Sequence, residues 1–372
     1  MTDLFESTVL KGMTLANRFV RSATWEGLAT TEGYATESLA RLLAELARGE
    51  VGLIITGHAY VSPEGKAAPG QLGIYTDRHV PSLKEMVGKI HDLGGKVAVQ
   101  ISHGGRYALK LPDVVRLGPS AIETRGKIQC REMTVEEIQR ITGQFAEAAR
   151  RAKAAEFDAV QLHAAHGYLL SEFLSPFFNK RTDAYGGAVK NRARFLLEVV
   201  NAIRREVGRA LPLLVKLNAQ EFLEGGSSVE DMLDIASLLE KASVDAIEMS
   251  GGNHLEGIFG EFFPAQPGKP KGEEGPYYLS EARRYKERIR VPLMLVGGIR
   301  SYEWAKRIVS EGYADYVSLS RPLIREPKLI SRWKSGDRAM SACISDNGCF
   351  KPGLNGEGIL CTVAVKKGSE KP

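Results

Sequence analysis

Cysteine is scarce in this chain, with four in 372 residues, and three of those fall in the last thirty. So uneven a distribution excludes the disulfide framework of a small secreted domain. It leaves metal binding, redox chemistry or ancestry as reasons for the cluster. Long apolar runs are missing as well. The segment 51–60 is about half the length of a membrane span and contains His58. Residues 1–6 carry neither the basic nor the apolar region of a signal peptide, so a cytoplasmic protein with no membrane partner is expected. No dense Lys/Arg run occurs and the net charge is only +5, which argues against a nucleic-acid partner. A Gly-x-Gly-x-x-Gly fingerprint after the first strand is also absent, which argues against a doubly wound dinucleotide fold.

What is present describes a globular protein with ample core: 43% of residues are hydrophobic and 26% charged. A chain of this length fits one large α/β barrel or two ordinary domains. Short apolar runs read as strands over 18–24, 51–61, 96–102, 159–165, 211–219, 246–252, 291–299 and 316–324. They are nearly continuous rather than alternating, as strands buried on both faces should be. Helical patterns lie between them, over 37–48, 81–93, 135–155, 189–207, 229–241, 280–288, 302–311 and 326–334. Such regular alternation predicts an α/β fold, the (β/α)8 or TIM barrel. A short Cys-containing tail should follow it at the C-terminus. Two long loops, 110–132 after the third strand and 254–278 after the sixth, are of a length that usually carries function.

The residues His163-Ala164-Ala165-His166-Gly167-Tyr168 follow the apolar run 157–162. Two imidazoles and a phenol therefore gather at a strand end, where an α/β enzyme keeps its chemistry. Packed core histidines are an alternative reading. Half of a zinc site is another, although zinc needs a third ligand and Glu172 lies further along a helix. Strands seven and eight end in Gly297-Gly298 and Ser320-Arg321. In barrels, backbone N–H groups after these strands, with a short helix N-terminus, cradle phosphate. Glycine lets the oxygens approach closely and Arg321 can hold them bidentately. Gln100 and Lys216 sit among apolar residues in the third and fifth strands. A buried, unpaired Lys is costly, so an anionic partner such as the N1/O2 edge of a reduced flavin would explain Lys216. A Schiff-base lysine or a snorkelling structural one are the competing accounts.

With these residues in view, the chain resembles the old yellow enzyme group of NAD(P)H:flavin oxidoreductases. The resemblance rests on Asn17-Arg18-Phe19-Val20, Gly52-Leu53-Ile54-Ile55, Gln100 to Arg106, His163 to Pro176, Arg181 to Gly187 and Asn191-Arg192. It implies an FMN-binding barrel over 1–335, a tail over 336–372, and transfer of hydride from NADH or NADPH, through FMN, to the activated C=C of an α,β-unsaturated carbonyl compound. It also implies roles for single residues. Ala23 and Thr24 would contact the flavin, Gly57 or His58 would lie beside its ring, and Gln100 and Lys216 would meet its pyrimidine edge. Gly297, Gly298, Ser320 and Arg321 would hold the phosphate. His163 and His166 would bind the substrate carbonyl oxygen, and Tyr168 would deliver a proton. A small enone is then the partner, with room for a homo-oligomer.

Two departures stand out. Trp25 occupies the position where many members carry a redox-tuning Cys or Thr, and Gly27 replaces the Tyr of one subgroup. The tail resembles that of the 2,4-dienoyl-CoA reductase branch, whose four Cys bind an iron–sulfur cluster, and the chain is expected to lack that branch's FAD/NAD(P)H domain. The pattern is Cys343-x2-Asp346-x2-Cys349-x11-Cys361, with Asp346 where a Cys is expected. A metal-free relic is the expectation, with a cluster or zinc on these four as the alternative. His254 falls near that branch's catalytic His. Outside the ene-reductase reading stand an electron-transfer accessory subunit and a phosphate-substrate aldolase using Lys216.

Overall fold

The computed structural model describes residues 3–110, 115–124, 127–253 and 275–366. Its centre is a closed barrel of parallel strands: β1 (Phe19–Arg21), β2 (Leu53–Ile55), β3 (Val97–Ser102), β4 (Ala159–Ala164), β5 (Leu213–Asn218), β6 (Ala246–Ser250), β7 (Leu293–Val296) and β8 (Tyr316–Leu319). Closure comes from β8 pairing β1, with Val317 opposite Phe19. All eight expected strands are therefore present, each shorter than its apolar run. The run 51–61 divides: Ala59–Tyr60 is a second short strand of the same sheet that pairs with Ile101 and Ser102, further along β3. The run 316–324 ends at Leu319, and Arg321–Arg325 is a short helix with Pro322 in its first turn. Proline there costs no hydrogen bond, since that N–H has no helical partner anyway.

The surrounding helices follow their sequence signals closely. Thr134 and Glu137 form a reciprocal capping box on Val135–Ala154, and Ser228 and Asp231 do the same for Val229–Lys241. The single helix expected over 189–207 is interrupted at Ala193, giving Val189–Arg192 and Arg194–Val207. Part of the loop 110–132 forms a small sheet from Leu117–Gly118, Ile122–Thr124 and Lys127–Glu132. Most of the loop 254–278, His254 included, lies outside the described residues. None of the described helices is long and apolar enough to cross a membrane.

Period two along the strands sorts the barrel interior into layers. The lowest is apolar: Val20, Leu53, Ala98, Ala159, Leu214, Ala246, Met294 and Tyr316 pack together. The hairpin Thr8–Leu10 and Met13–Leu15 adds Leu10, Met13 and Leu15 to that cluster and plugs it. Two residues further on, the same faces carry Ser22, Gln100, Gln161, Lys216, Glu248 and Ser318. The next step brings Thr24, His163, Asn218, Ser250 and Ser320. The candidate site residues thus lie at the C-terminal ends of the strands, above a polar layer and an apolar floor.

His103, just beyond β3, helps to set that upper rim. Its Nδ1 accepts from the N–H of Gly105, and its carbonyl accepts from the N–H of Leu169, at the start of the helix after Tyr168. Burial pushes the imidazole down from 6.5 to about 4, with Glu64 opposing. The unfolded chain therefore takes up a proton that the folded chain refuses until about pH 4. Stability from this group is complete above about 6.5 and is lost as pH falls through that window. We expect the His103 ring signal in NMR to stay at its neutral position down to about pH 5. Titration near 6.5 would show that the ring is not buried neutral.

Candidate active site

His163 is the penultimate residue of β4, and the chain then reverses through two left-handed residues, His166 (φ +63°) and Gly167 (φ +79°). That reversal brings the three expected catalytic side chains together. The ring centroids of His163 and Tyr168 are 4.7 Å apart, and those of His163 and His166 are 5.2 Å apart. Left-handed backbone at a non-glycine residue is uncommon and needs support. Here the N–H of His166 donates to Asn218 Oδ1 at 3.2 Å, and its Nε2 lies 2.7 Å from Ser250 Oγ. Burial pushes the Tyr168 phenol above its ordinary range, so it holds its proton throughout neutral pH. His58, the alternative to Gly57 in the sequence reading, packs against Tyr168 at 5.1 Å.

The polar layer below is one hydrogen-bonded chain. Gln100 Nε2 donates to Gln161 Oε1 at 2.7 Å, and Gln161 Nε2 donates to Glu248 Oε2 at 3.0 Å. The same Glu248 oxygen lies 3.2 Å from Lys216 Nζ, which also donates to Ser22 Oγ at 2.7 Å. Lys216 is therefore buried but not unpaired, which corrects the premise drawn from sequence. Its partner is its register neighbour on β6. Glu248 sits in the near-continuous apolar run of β6, where its pairing with Lys216 depends on the barrel register.

At the ends of β7, β8 and β1 lies a second group of donors. Gly297 adopts φ +112°, Ser320 Oγ and Thr24 Oγ1 are 2.8 Å apart, and Arg321 opens the short helix. These residues, with Ala23, Gln100, Lys216, His163, His166 and Tyr168, line one cavity of about 200 Å³. Two expected residues stay outside its lining. Gly57 gives its space to Glu26: its N–H donates to Glu26 Oε1 at 2.8 Å, and a Cβ there would fall 2.2 Å from Oε2. Burial raises the pKa of Glu26, while Arg21, 3.0 Å away, opposes the shift. Gly298 is covered by Gly275 and Tyr277. The cavity also takes in Tyr277, Tyr278, Asn347 and Phe350, which sequence reasoning missed as site residues. Their only signal was membership of the long loop and of the tail.

This donor set fits FMN. An amide and an ammonium on β3 and β5 stand across the barrel from hydroxyls, a guanidinium and a left-handed glycine at β7 and β8. The cavity thus offers neutral and cationic donors suited to a flavin mononucleotide, and no carboxylate is among its described lining residues. Trp25 belongs to the wall, with Nε1 donating to the Pro69 carbonyl at 3.1 Å and its ring packed on Cys349, Phe350 and Ile359. Cys343, Cys349, Cys361 and Asp346 border a single small void beside Arg321 and Arg325. Burial raises the pKa of both the Cys343 and Cys349 thiols, the latter to about 12. Among the described residues no group of three or more His, Cys, Asp or Glu is arranged to hold a metal ion.

The family described as NADH:flavin oxidoreductase / NADH oxidase matches residues 3–339. The chain belongs to this family, whose members are oxidoreductases that use FMN with NAD(P)H. It is 35% identical over 357 residues to an NADH oxidase of Thermoanaerobacter brockii, covering 94% of this chain and 53% of that protein. It is 36% identical over 325 residues to an NADPH dehydrogenase of Halalkalibacterium halodurans, covering 87% and 91% respectively. The old yellow enzyme homologue of Zymomonas mobilis superposes with a TM-score of 0.76 at 28% identity, over 91% of this chain and 94% of that one. The chain thus spans about half the length of the first relative and matches the other two nearly end to end.

Removing Glu248 alone, as Glu248→Leu, should destabilise the fold by about 3–5 kcal/mol, because Lys216 is left as an uncompensated buried charge. Lys216→Met combined with Glu248→Leu should recover most of that loss in denaturant unfolding. A double variant no more stable than Glu248→Leu would show that the pair is not the cause.

Proposed function

We propose that the chain is an ene-reductase that saturates the activated C=C of an α,β-unsaturated carbonyl compound. We assign 1–335 as the FMN-binding barrel and 336–372 as its tail. The observation that carries the proposal is the convergence of His163, His166 and Tyr168 on the cavity that also holds the FMN-fitting donors. Bound FMN supplies the hydride chemistry, with NADH or NADPH as reductant. Gln100 and Lys216 would hold the pyrimidine edge, and Ala23 and Thr24 the part of the flavin next to β1. Gly297, Ser320 and Arg321 would hold the phosphate. Gly57 and Gly298 act from behind the lining, by making room for Glu26 and for Tyr277.

The remaining work falls to side chains of this chain. His163 and His166 donate hydrogen bonds to the substrate carbonyl oxygen, where negative charge grows during the reaction. Each well-placed donor of this kind is worth about 3–4 kcal/mol. Ser250 holds the His166 ring and Asn218 holds its backbone N–H, so little reorganisation is needed when that charge develops. Tyr168 carries the proton destined for the α-carbon, and its raised pKa keeps the phenol neutral through the working range. A cytoplasmic setting fits the four cysteines, none of which is in a disulfide.

Purified protein should be yellow, should bleach anaerobically with NADH or NADPH, and should regain colour with 2-cyclohexenone. Protein that stays colourless and cannot be reconstituted with FMN would end the proposal. Tyr168→Phe should slow the enone step by about a hundredfold or more while bleaching by NAD(P)H stays close to that of the unmodified protein. Equal loss in both half-reactions would remove Tyr168 as proton donor.

A further inference from the structure

The guanidinium assigned to the FMN phosphate is not held by the barrel alone. Arg321 Nη1 donates to Asn347 Oδ1 at 2.7 Å and to the Ser345 carbonyl at 3.2 Å, and both partners belong to the tail. Each of those residues has a left-handed backbone, with φ +59°. Asn adopts that region readily, whereas Ser does so at some cost. A conformation of this kind persists only where its surroundings over-determine it.

The surroundings do so here. Upstream, the Ser341 N–H donates to the Arg300 carbonyl at 2.9 Å, and Arg300 Nη1 donates to the Cys343 carbonyl at 3.1 Å. Downstream, the Ile359 N–H donates to the Glu26 carbonyl at 2.8 Å, and Cys349, Phe350 and Ile359 pack on Trp25. The segment between these anchors is thus pressed against the cavity, whose lining includes both Asn347 and Arg321. Both tail contacts use Nη1. That leaves the fork of Nε–H and Nη2–H, the pair suited to bidentate phosphate binding, for the ligand.

We propose that Asn347 is a positioning residue for the FMN phosphate: its side-chain oxygen holds the Arg321 guanidinium so that the other edge faces the phosphate. The proposal rests on the assignment of Arg321 to that phosphate, and the test separates the two. Apoprotein is titrated with FMN and with riboflavin, which lacks the phosphate, and binding is followed by flavin fluorescence. Asn347→Gly tolerates the left-handed backbone and removes the side-chain amide, with the acceptor that Arg321 uses. It should weaken FMN about tenfold and leave riboflavin unchanged. In an Arg321→Ala background, Asn347→Gly should change neither affinity.

Equal weakening of FMN and riboflavin would mean that the tail merely shapes the pocket, and would overturn the proposal. So would a further loss of FMN affinity in the Arg321→Ala background, or no effect of Asn347→Gly on FMN at all. If the unmodified protein binds FMN no better than riboflavin, or Arg321→Ala leaves that preference intact, the phosphate assignment itself fails.

Discussion

The Lys216–Glu248 pair lies on adjacent strands in the middle layer of the barrel, and the architecture of the site depends on it. An ammonium at that depth needs a permanent counter-charge, because the desolvation cost of an isolated ion exceeds what ordinary packing returns. Glu248 provides the charge from the neighbouring register position and accepts from Gln161 with the same oxygen. Gln100 and Ser22 extend the chain to β3 and β1. A flavin edge laid on this layer, as proposed, would meet amide and ammonium groups that are already oriented. Preorganisation of this sort is what lets a polar interaction count in a dry site.

Above that layer the protein spends conformational strain for geometry. The left-handed residues His166 and Gly167 turn the chain so that both imidazoles and the Tyr168 phenol face the same cavity. The tail uses a similar device at Ser345 and Asn347, beside Arg321. Trp25 links the two regions. Where the family often has a small residue that tunes the flavin, this chain has a large ring that walls the cavity and anchors Cys349, Phe350 and Ile359. The departure in strand one and the unusual tail therefore belong to one packing arrangement. Gly27 fits the same picture, since a Cβ there would fall 3.0 Å from the Trp25 ring and 3.2 Å from Gly353.

Much of this was legible in the chain itself. Eight apolar runs alternating with amphipathic segments specify a parallel barrel, because strands buried on both faces and helices buried on one leave different periods. His163, His166 and Tyr168 were legible for a local reason: they sit within six residues, at the end of one strand. Gly297, Ser320 and Arg321 follow strand ends whose place in a barrel is known once the strands are counted. Strand lengths were overestimated because an apolar residue just past a strand, such as Leu323, looks the same whether a strand or a short helix buries it.

What only the tertiary structure decided has a common physical character: it concerns which distant residues meet. Lys216 reads as an unpaired charge in one dimension, because its partner lies 32 positions away and becomes a neighbour only when β5 pairs with β6. Gly57 reads as a flavin neighbour, yet Glu26 fills the space it leaves. Asn347 and Phe350 carry no motif of their own, and they reach the cavity because Trp25 and Glu26 hold the tail over the end of β1. Periodicity and local motif therefore determined the barrel and the grouping of His163, His166 and Tyr168. Long-range pairing decided how charge is compensated beneath the site and which segment closes it, since those interactions exist only after the chain has brought its ends together.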